Sequence, residues 1–171
     1  MKNIQLIFRK VSKGDSWYQW IIAFYTGYVV PLNWGTKGFY CHTEIHFVER
    51  KLCYSSANIT GGKLGVRFAP DSEVLKEPSK WEGFIITLGG DEEQRLYDAC
   101  KELEGAPYDW LGLFGGFITG FLQNKKHWYC SEVCANRMFE AGLYPDKFSV
   151  VSPIRWAAKS SEHFSKELIP L

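Results

Sequence analysis

Short apolar runs bounded by turn-forming residues recur through the first half of the chain. Runs of this kind, rich in Ile, Val, Phe and Tyr, are typical of β-strands. The predicted strands cover residues 4–8, 41–48, 51–57, 66–68 and 81–88. Because only Glu49-Arg50 separates the second run from the third, the spacing predicts a tight β-hairpin there.

Helical patterns alternate with these strands. Leu96, Ala99 and Cys100 recur at the spacing of one helix face, after a run of acidic residues that complements the dipole of a helix N-terminus. The predicted helices cover about residues 15–25, 91–103 and 130–141, with a last one that begins at Ser152-Pro153. Asp15 is the expected N-cap of the first. With no repeat and no linker, the pattern predicts one α+β domain over residues 1–171, built on an antiparallel sheet.

Composition and charge narrow the class of function. The 171 residues are 46% hydrophobic and 23% charged, as in folded globular proteins. The formal net charge is +1 and no basic cluster accompanies an aromatic ladder, which argues against nucleic-acid binding. The N-terminus has no pattern of a secretory signal, so we expect a chain that is cytoplasmic as synthesised. The apolar stretches 20–34 and 111–122 are too short or too interrupted to span a bilayer, but they could rest weakly on a membrane surface.

The five cysteines are odd in number and contain no CxxC pair, which favours free thiols. Cys130 stands at the start of a predicted helix, where unpaired amides and the dipole would stabilise a thiolate and an oxyanion. It is therefore the candidate nucleophile. The alternative interpretation is a buried cysteine that only packs, which is also our interpretation of Cys53, Cys100 and Cys134.

A thiolate nucleophile needs a base, and the chain has four histidines. His127 and His163 fall in a predicted loop and a polar tail. His42, Glu44 and His46 alternate along one predicted strand, so their side chains share a face. We expect His42 to be the base. Two alternatives stay open: a solvated outer face, and a metal site in which His42, Glu44 and His46 bind Zn or Fe, with Cys130 as a fourth ligand.

A third polar residue would orient the imidazole. The predicted hairpin places Ala57 opposite His42, so Asn58 or Ser56 lies beside it. Asn58 is the preferred third member because an Asn is a known variant of this arrangement. Glu44, Ser56 and Ser55 remain alternatives.

Three segments together resemble a known family: Cys-His-Thr-Glu-Ile at 41–45, Tyr-Asp-Trp at 108–110 and Trp-Tyr-Cys-Ser-Glu-Val at 128–133. The ordered set is similar to the permuted NlpC-like papain-fold hydrolases, which include bacterial and phage cell-wall peptidase relatives and, more distantly, the lecithin retinol acyltransferase type. The resemblance covers about residues 40–143. It implies a circularly permuted papain-like fold in which the histidine strand precedes the cysteine helix.

The resemblance also implies roles and an activity. Cys130 matches the nucleophile, His42 the base, and Tyr108 a tyrosine often found near the site. The implied activity is that of a cysteine hydrolase, an amidase or peptidase that cleaves cell-wall peptides or acyl amides and esters through an acyl-enzyme, with no cofactor. A cell-wall enzyme without a signal would need another route, such as phage delivery or lysis. The alternatives are a metal-binding protein and an inactive binding module on the same fold.

Overall fold

A computed structural model of the chain describes residues 1–28, 40–57, 64–109, 126–145, 156–157, 160, 163–164 and 169–171. Three predicted features lie outside these residues: Asn58, the apolar stretch 111–122 and the helix start at Ser152-Pro153. The described parts of residues 156–164 are helical. The described chain is α+β with an antiparallel sheet, as the sequence predicts.

The sheet has six strands in the order β4-β3-β2-β1-β5-β6, and every paired neighbour is antiparallel. The strands are β1 (Lys2–Lys10), β2 (Tyr40–Phe47), β3 (Leu52–Ala57), β4 (Gly65–Pro70), β5 (Trp81–Leu88) and the short β6 (Ile169–Pro170). All five predicted strands are confirmed. Apolar side chains point to both faces of these strands, as expected for a sheet with both faces packed against other parts of the protein.

The described residues include four α-helices with defined bounds: α1 (Trp17–Tyr28), α2 (Asp71–Val74), α3 (Gly90–Glu102) and α4 (Cys130–Glu140). The first, third and fourth were predicted from the sequence and are confirmed. The four residues of α2 are too few to give a periodic pattern, so the sequence did not predict it. Among the described residues, no helix is long and apolar enough to cross a membrane.

The hairpin differs from its prediction in the turn alone. A 3₁₀ turn (Val48–Arg50) and Lys51, whose φ is 54°, connect β2 to β3, so the connection has four residues rather than two. The Lys51 N–H donates to the Val48 carbonyl at 3.2 Å. The predicted register is nevertheless confirmed, with His46 opposite Cys53. The longer turn takes one residue from the end of each predicted strand, Val48 from the first and Lys51 from the second. The pairing of the remaining strand residues is therefore unchanged.

Asp15 does not cap α1, contrary to the prediction. Its carboxylate accepts two hydrogen bonds from Arg9, at 3.2 and 2.7 Å, and one from the Ser12 N–H at 2.8 Å. Ser16 precedes the helix instead, and its N–H and hydroxyl both donate to Gln19 Oε1. The guanidinium of Arg9 competes for the carboxylate, and a charged partner makes a stronger hydrogen bond than a helix amide does.

The two faces of the sheet carry different interiors. Ile4, Leu6 and Phe8 of β1 are fully buried on the face that α3 and α4 cover, and they belong to the main hydrophobic core. Ile7 points to the other face and packs in a smaller cluster with Trp81. Directly paired residues of antiparallel strands share a face. Glu44 therefore lies on the second face, since it pairs with Ile7, and His42 and His46 share that face by alternation.

Candidate active site

His42 and Glu44 are joined by a hydrogen bond along β2. His42 Nε2 lies 2.8 Å from Glu44 Oε1, so this nitrogen carries the proton that the carboxylate accepts. The His42 side chain is 18% exposed and that of Glu44 is 1% exposed. The two residues share a face because they are two positions apart in a strand. Glu44 thus holds one edge of the imidazole and leaves the other edge for a second partner.

Arg67 of β4 holds the same carboxylate from the far side. Its Nη2 donates to Glu44 Oε1 at 2.7 Å and its Nη1 donates to Oε2 at 2.9 Å, which is a bidentate pair. Burial favours the neutral acid, but the Arg67 charge and the hydrogen bonds from His42 and Arg67 lower the pKa of Glu44 to about 2. Glu44 is therefore an anion at any ordinary pH, and its orientation is fixed by a buried cation.

Cys130 is the second partner of the imidazole. It is the first residue of α4, is 2% exposed, and its side chain is within hydrogen-bonding reach of His42. Because Nε2 faces Glu44, Nδ1 is the ring nitrogen left for the sulfur. Burial alone would lower the pKa of His42, but the Cys130 sulfur and the Glu44 carboxylate together raise it to about 9. The arrangement favours a protonated imidazole beside the sulfur at neutral pH.

The start of α4 adds a second polar feature beside the sulfur. Tyr129 occupies the N-cap position without a side-chain cap, and its backbone N–H donates to the Glu132 carboxyl group. Burial and the nearby Asp109 raise the pKa of Glu132 to about 8, against the opposing effect of that hydrogen bond. At neutral pH this carboxyl group is mostly uncharged. Because this carboxyl group is neutral, it does not cancel the positive potential of the amides in the first turn. That potential can therefore stabilise a negative group near Cys130.

Ser56 and Tyr108 position the segment that leads into α4. The Ser56 hydroxyl donates to the Trp128 carbonyl at 2.6 Å and is fully buried. Tyr108 pairs with Trp128 in an isolated parallel bridge, in which the Asp109 N–H donates to the Trp128 carbonyl at 3.2 Å. The Ser56 hydroxyl therefore fixes the backbone two residues before Cys130. Tyr108 lies close enough to Cys130 for the two side chains to interact electrostatically.

His46 is engaged elsewhere, although it shares the face of His42 and Glu44. Its Nδ1 lies 2.7 Å from Gln5 Oε1 and its Nε2 lies 3.3 Å from Asp71 Oδ2. Among the described residues, no group of three or more His, Cys, Asp and Glu side chains could hold a metal ion. Of the three predicted ligands, His46 binds Gln5 and Asp71, whereas His42 binds Glu44, whose two oxygens also accept from Arg67.

A cleft of about 250 Å³ opens beside His42. One wall comes from Tyr18 and Ile22 of α1, and another from Trp81, whose ring lies 6.2 Å from the His42 ring at 67°. The rim carries charged residues of the segment that includes α2, namely Glu73, Lys76 and Glu77. Tyr108 also lines the cleft. An apolar floor with a polar rim is the usual form of a small-molecule or peptide-side-chain pocket.

Cys41 lines the same cleft and is the second thiol near the site. Arg9 Nη1 lies 3.5 Å from its sulfur, and the residue is 4% exposed. Burial raises the pKa of Cys41 to about 11, in spite of the Arg9 charge. Cys41 therefore remains a thiol at neutral pH, and its position in the wall does not make it a nucleophile.

His42, Glu44 and Cys130 were predicted from the sequence to lie together, but Arg67 was not identified as part of the site. The available signal was an arginine inside a short apolar strand, where a buried cation requires a carboxylate partner. The preferred third member, Asn58, lies outside the described residues. The chain has no significant match among protein-family models, curated proteins or solved structures.

Proposed function

We propose that this protein is a cysteine hydrolase of the amidase or peptidase class, with Cys130 as nucleophile and His42 as general base and acid. The observation that carries the proposal is the position of the His42 imidazole between the Cys130 sulfur and the Glu44 carboxylate. A nucleophile, a base and a residue that orients the base are the three parts of a triad. The order of the histidine strand and the cysteine helix supports the circularly permuted papain-like fold implied by the sequence resemblance.

The reaction proceeds through a thioester. Cys130 gives its thiol proton to His42 as the sulfur attacks the substrate carbonyl carbon, and the carbonyl oxygen takes the negative charge, facing the amides at the start of α4. His42 then gives this proton to the leaving amine or alcohol as the carbon–heteroatom bond breaks, which leaves the thioester and a neutral imidazole. In the second half a water molecule loses a proton to His42 and attacks the thioester carbon. The carbon–sulfur bond then breaks, the carboxylic acid leaves, and His42 returns its proton to the Cys130 sulfur.

Glu44 acts in this mechanism through His42. Its carboxylate keeps Nε2 protonated and directs Nδ1 at the sulfur, and it stabilises the imidazolium form. Arg67 in turn prevents Glu44 from taking the His42 proton, because it lowers the pKa of the carboxyl group. We therefore assign the third position to Glu44 rather than to Asn58. Ser56 is assigned to holding the Trp128 backbone.

The metal-binding alternative has weaker support. A metal ion on Glu44 would have to displace the two Arg67 hydrogen bonds, and one on His46 would have to displace Gln5 and Asp71. Substitution of His46 separates the two interpretations. His46→Ala has little effect on a Cys130-His42 enzyme, whereas it removes a ligand from a His42-Glu44-His46 metal site.

Alkylation with iodoacetamide near neutral pH, mapped by peptide mass spectrometry, tests the proposal. We expect Cys130 to be modified first, and His42→Ala to slow its modification by about tenfold or more, because the ion pair that supports the thiolate is lost. His46→Ala is the matched control and should leave the rate unchanged. Cys41→Ser separates the two thiols of the site. Equal, slow labelling of all five cysteines, or earlier labelling of Cys41, would contradict the proposal.

An activated ester tests the covalent step directly. With p-nitrophenyl acetate we expect a burst of p-nitrophenol and acetylation at Cys130, since a thioester forms before hydrolysis. Cys130→Ala should abolish both signals while the circular dichroism spectrum stays that of the native fold. Full turnover by Cys130→Ala would rule out the mechanism.

A further inference from the structure

Large apolar side chains form an exposed ridge on α1. Trp17 is 71% exposed, Trp20 is 46% exposed and Ile21 is 40% exposed. Their spacing of three and four positions places them on one face of the helix. Isolated exposed apolar residues are common on protein surfaces, but two tryptophans and an isoleucine in a continuous row indicate a contact surface.

Among the described residues in and just before α1, the accessible charge is positive. The twelve residues of α1 contain no Asp, Glu, Lys or Arg. Before the helix, the carboxylate of Asp15 is 6% exposed and is neutralised by Arg9. Lys13 is exposed, and no hydrogen bond or ion pair joins it to the described residues. An uncharged aromatic ridge with one accessible cation beside it suits an anionic, partly apolar surface.

The other side of α1 belongs to the cleft and the core. Tyr18 and Ile22 line the cleft beside His42, and Ala23 packs with Tyr129 of the segment that enters α4. A surface in contact with the ridge is therefore one helix diameter from the cleft, about 10 Å. The charged residues Glu73, Lys76 and Glu77 also line the cleft, and Glu77 pairs with Lys80 at 2.8 Å, so this segment has no excess of positive charge to attract an anionic surface. The contact is therefore assigned to α1.

We propose that the Trp17-Trp20-Ile21 ridge adsorbs to an anionic lipid bilayer, with the two indoles at the headgroup level and Lys13 facing the headgroups. Tryptophan is enriched at this level of membranes because its ring is apolar and its N–H is polar. This inference is independent of the chemistry at Cys130. It adds a location to that activity, since adsorption through α1 brings the cleft next to acyl groups or peptides borne by the bilayer.

The area of the ridge argues against a second copy of the chain as the occupant. A whole tryptophan buries up to about 250 Å², so the exposed parts of Trp17 and Trp20 amount to roughly 300 Å². Two such ridges packed on each other, with Ile21 included, would bury well under the ~1,200 Å² of the smallest stable interfaces. Adsorption to lipid has no such threshold, because affinity rises continuously with the apolar area buried and with anionic charge.

Vesicle co-sedimentation tests the proposal. Wild-type protein is mixed with phosphatidylcholine vesicles that contain or lack 30% phosphatidylglycerol, a proportion of roughly one anionic lipid in three chosen for a strong surface potential. We expect binding to the anionic vesicles, a loss of at least about tenfold in partition coefficient for Trp17→Ser/Trp20→Ser, and a smaller loss for Lys13→Glu. Ile85→Ser is the matched control, because Ile85 is also 40% exposed but lies on β5. Its binding should equal that of the wild type.

Two readouts complete the design. Circular dichroism and the urea midpoint of each variant show that the fold is retained, which the exposure of Trp17 and Trp20 leads us to expect. Light scattering after size exclusion gives the mass at several protein concentrations. No binding by the wild type, equal binding by Trp17→Ser/Trp20→Ser, or a concentration-dependent dimer that this double variant abolishes would each overturn the proposal.

Discussion

Replacement of Glu44 by Gln changes the pH dependence of stability in a way that the structure specifies. The Glu44 carboxyl group has its pKa lowered from 4.5 to about 2 in the folded protein. A lowered pKa stabilises the fold above pH 4.5, and the stabilisation is lost as the pH falls through 2. Gln has the same shape and does not titrate, so the difference between the two proteins reports the Glu44 carboxyl group together with the His42 imidazole whose pKa it raises.

The size of the effect follows from linkage. A difference of about 2.5 pKa units corresponds to about 3 kcal/mol of stabilisation at pH 6.5, of which roughly 2 kcal/mol is lost by pH 3. The other carboxyl groups titrate in both proteins, so their contributions to the free energy of unfolding cancel in the difference. The free energy of unfolding of Glu44→Gln should therefore lie several kcal/mol below that of the wild type at pH 6.5, because Arg67 is left as a buried cation without its anion. That gap should narrow by about 2 kcal/mol at pH 3.

Urea unfolding at pH 6.5, 4.5 and 3, followed by tryptophan fluorescence, measures the difference in free energy of unfolding between the wild type and Glu44→Gln. Glu77→Gln is the matched control, since the Glu77 carboxylate lies 2.8 Å from Lys80 Nζ but its side chain is 62% exposed. A surface pair of this kind contributes about 0–1 kcal/mol, so the control gap should be small at all three pH values. A gap for Glu44→Gln that is equal at pH 6.5 and pH 3 would refute the buried, bidentate Arg67-Glu44 pair.

Three further outcomes follow from the same geometry. Arg67→Met should destabilise the fold by about 3–5 kcal/mol in urea unfolding, and Arg67→Met/Glu44→Leu by clearly less, because the double variant removes both members of the buried Arg67-Glu44 pair; additive losses would contradict this. The pKa of His42 is raised to about 9, so the imidazolium that protonates the leaving group, and with it the rate of amide hydrolysis, should decline as the pH rises through 9; a hydrolysis rate that still climbs above pH 10 would contradict this role of His42. Ser56→Ala should cost about 0.5–1.5 kcal/mol in thermal unfolding, since it removes one of two donors to the Trp128 carbonyl, which keeps the Asp109 N–H; an unchanged melting temperature would show that the hydroxyl does not hold the backbone.

The parts of the fold that were predicted from the sequence are those set by local periodicity. Alternation in β2 placed His42 and Glu44 on one face, and the hairpin spacing gave the register that pairs His46 with Cys53. Both signals lie within a few neighbouring residues, so no tertiary information is needed to interpret them.

What the sequence did not predict depends on contacts outside a single element. Asp15 is a suitable residue type in the right position for a helix cap, but a guanidinium from the end of β1 takes its carboxylate. Arg67 of β4 reaches Glu44 of β2 across β3, and no spacing rule within one element predicts such a pair. Asn58 lies outside the described residues and stays a prediction, while the described partner of Nε2 is Glu44, one of the alternatives.

The hydrogen bonds between His42, Glu44 and Arg67 join residues of a single three-stranded meander, with a separation of 23 positions between the carboxylate and the guanidinium. Cys130 comes from a helix far downstream in the chain. Contacts close in sequence form at lower entropic cost than distant ones. The arrangement of His42, Glu44 and Arg67 is therefore local, whereas its contact with Cys130 closes a much longer loop. The candidate site depends on the packing of α4 against the sheet, because that packing is what brings Cys130 to His42.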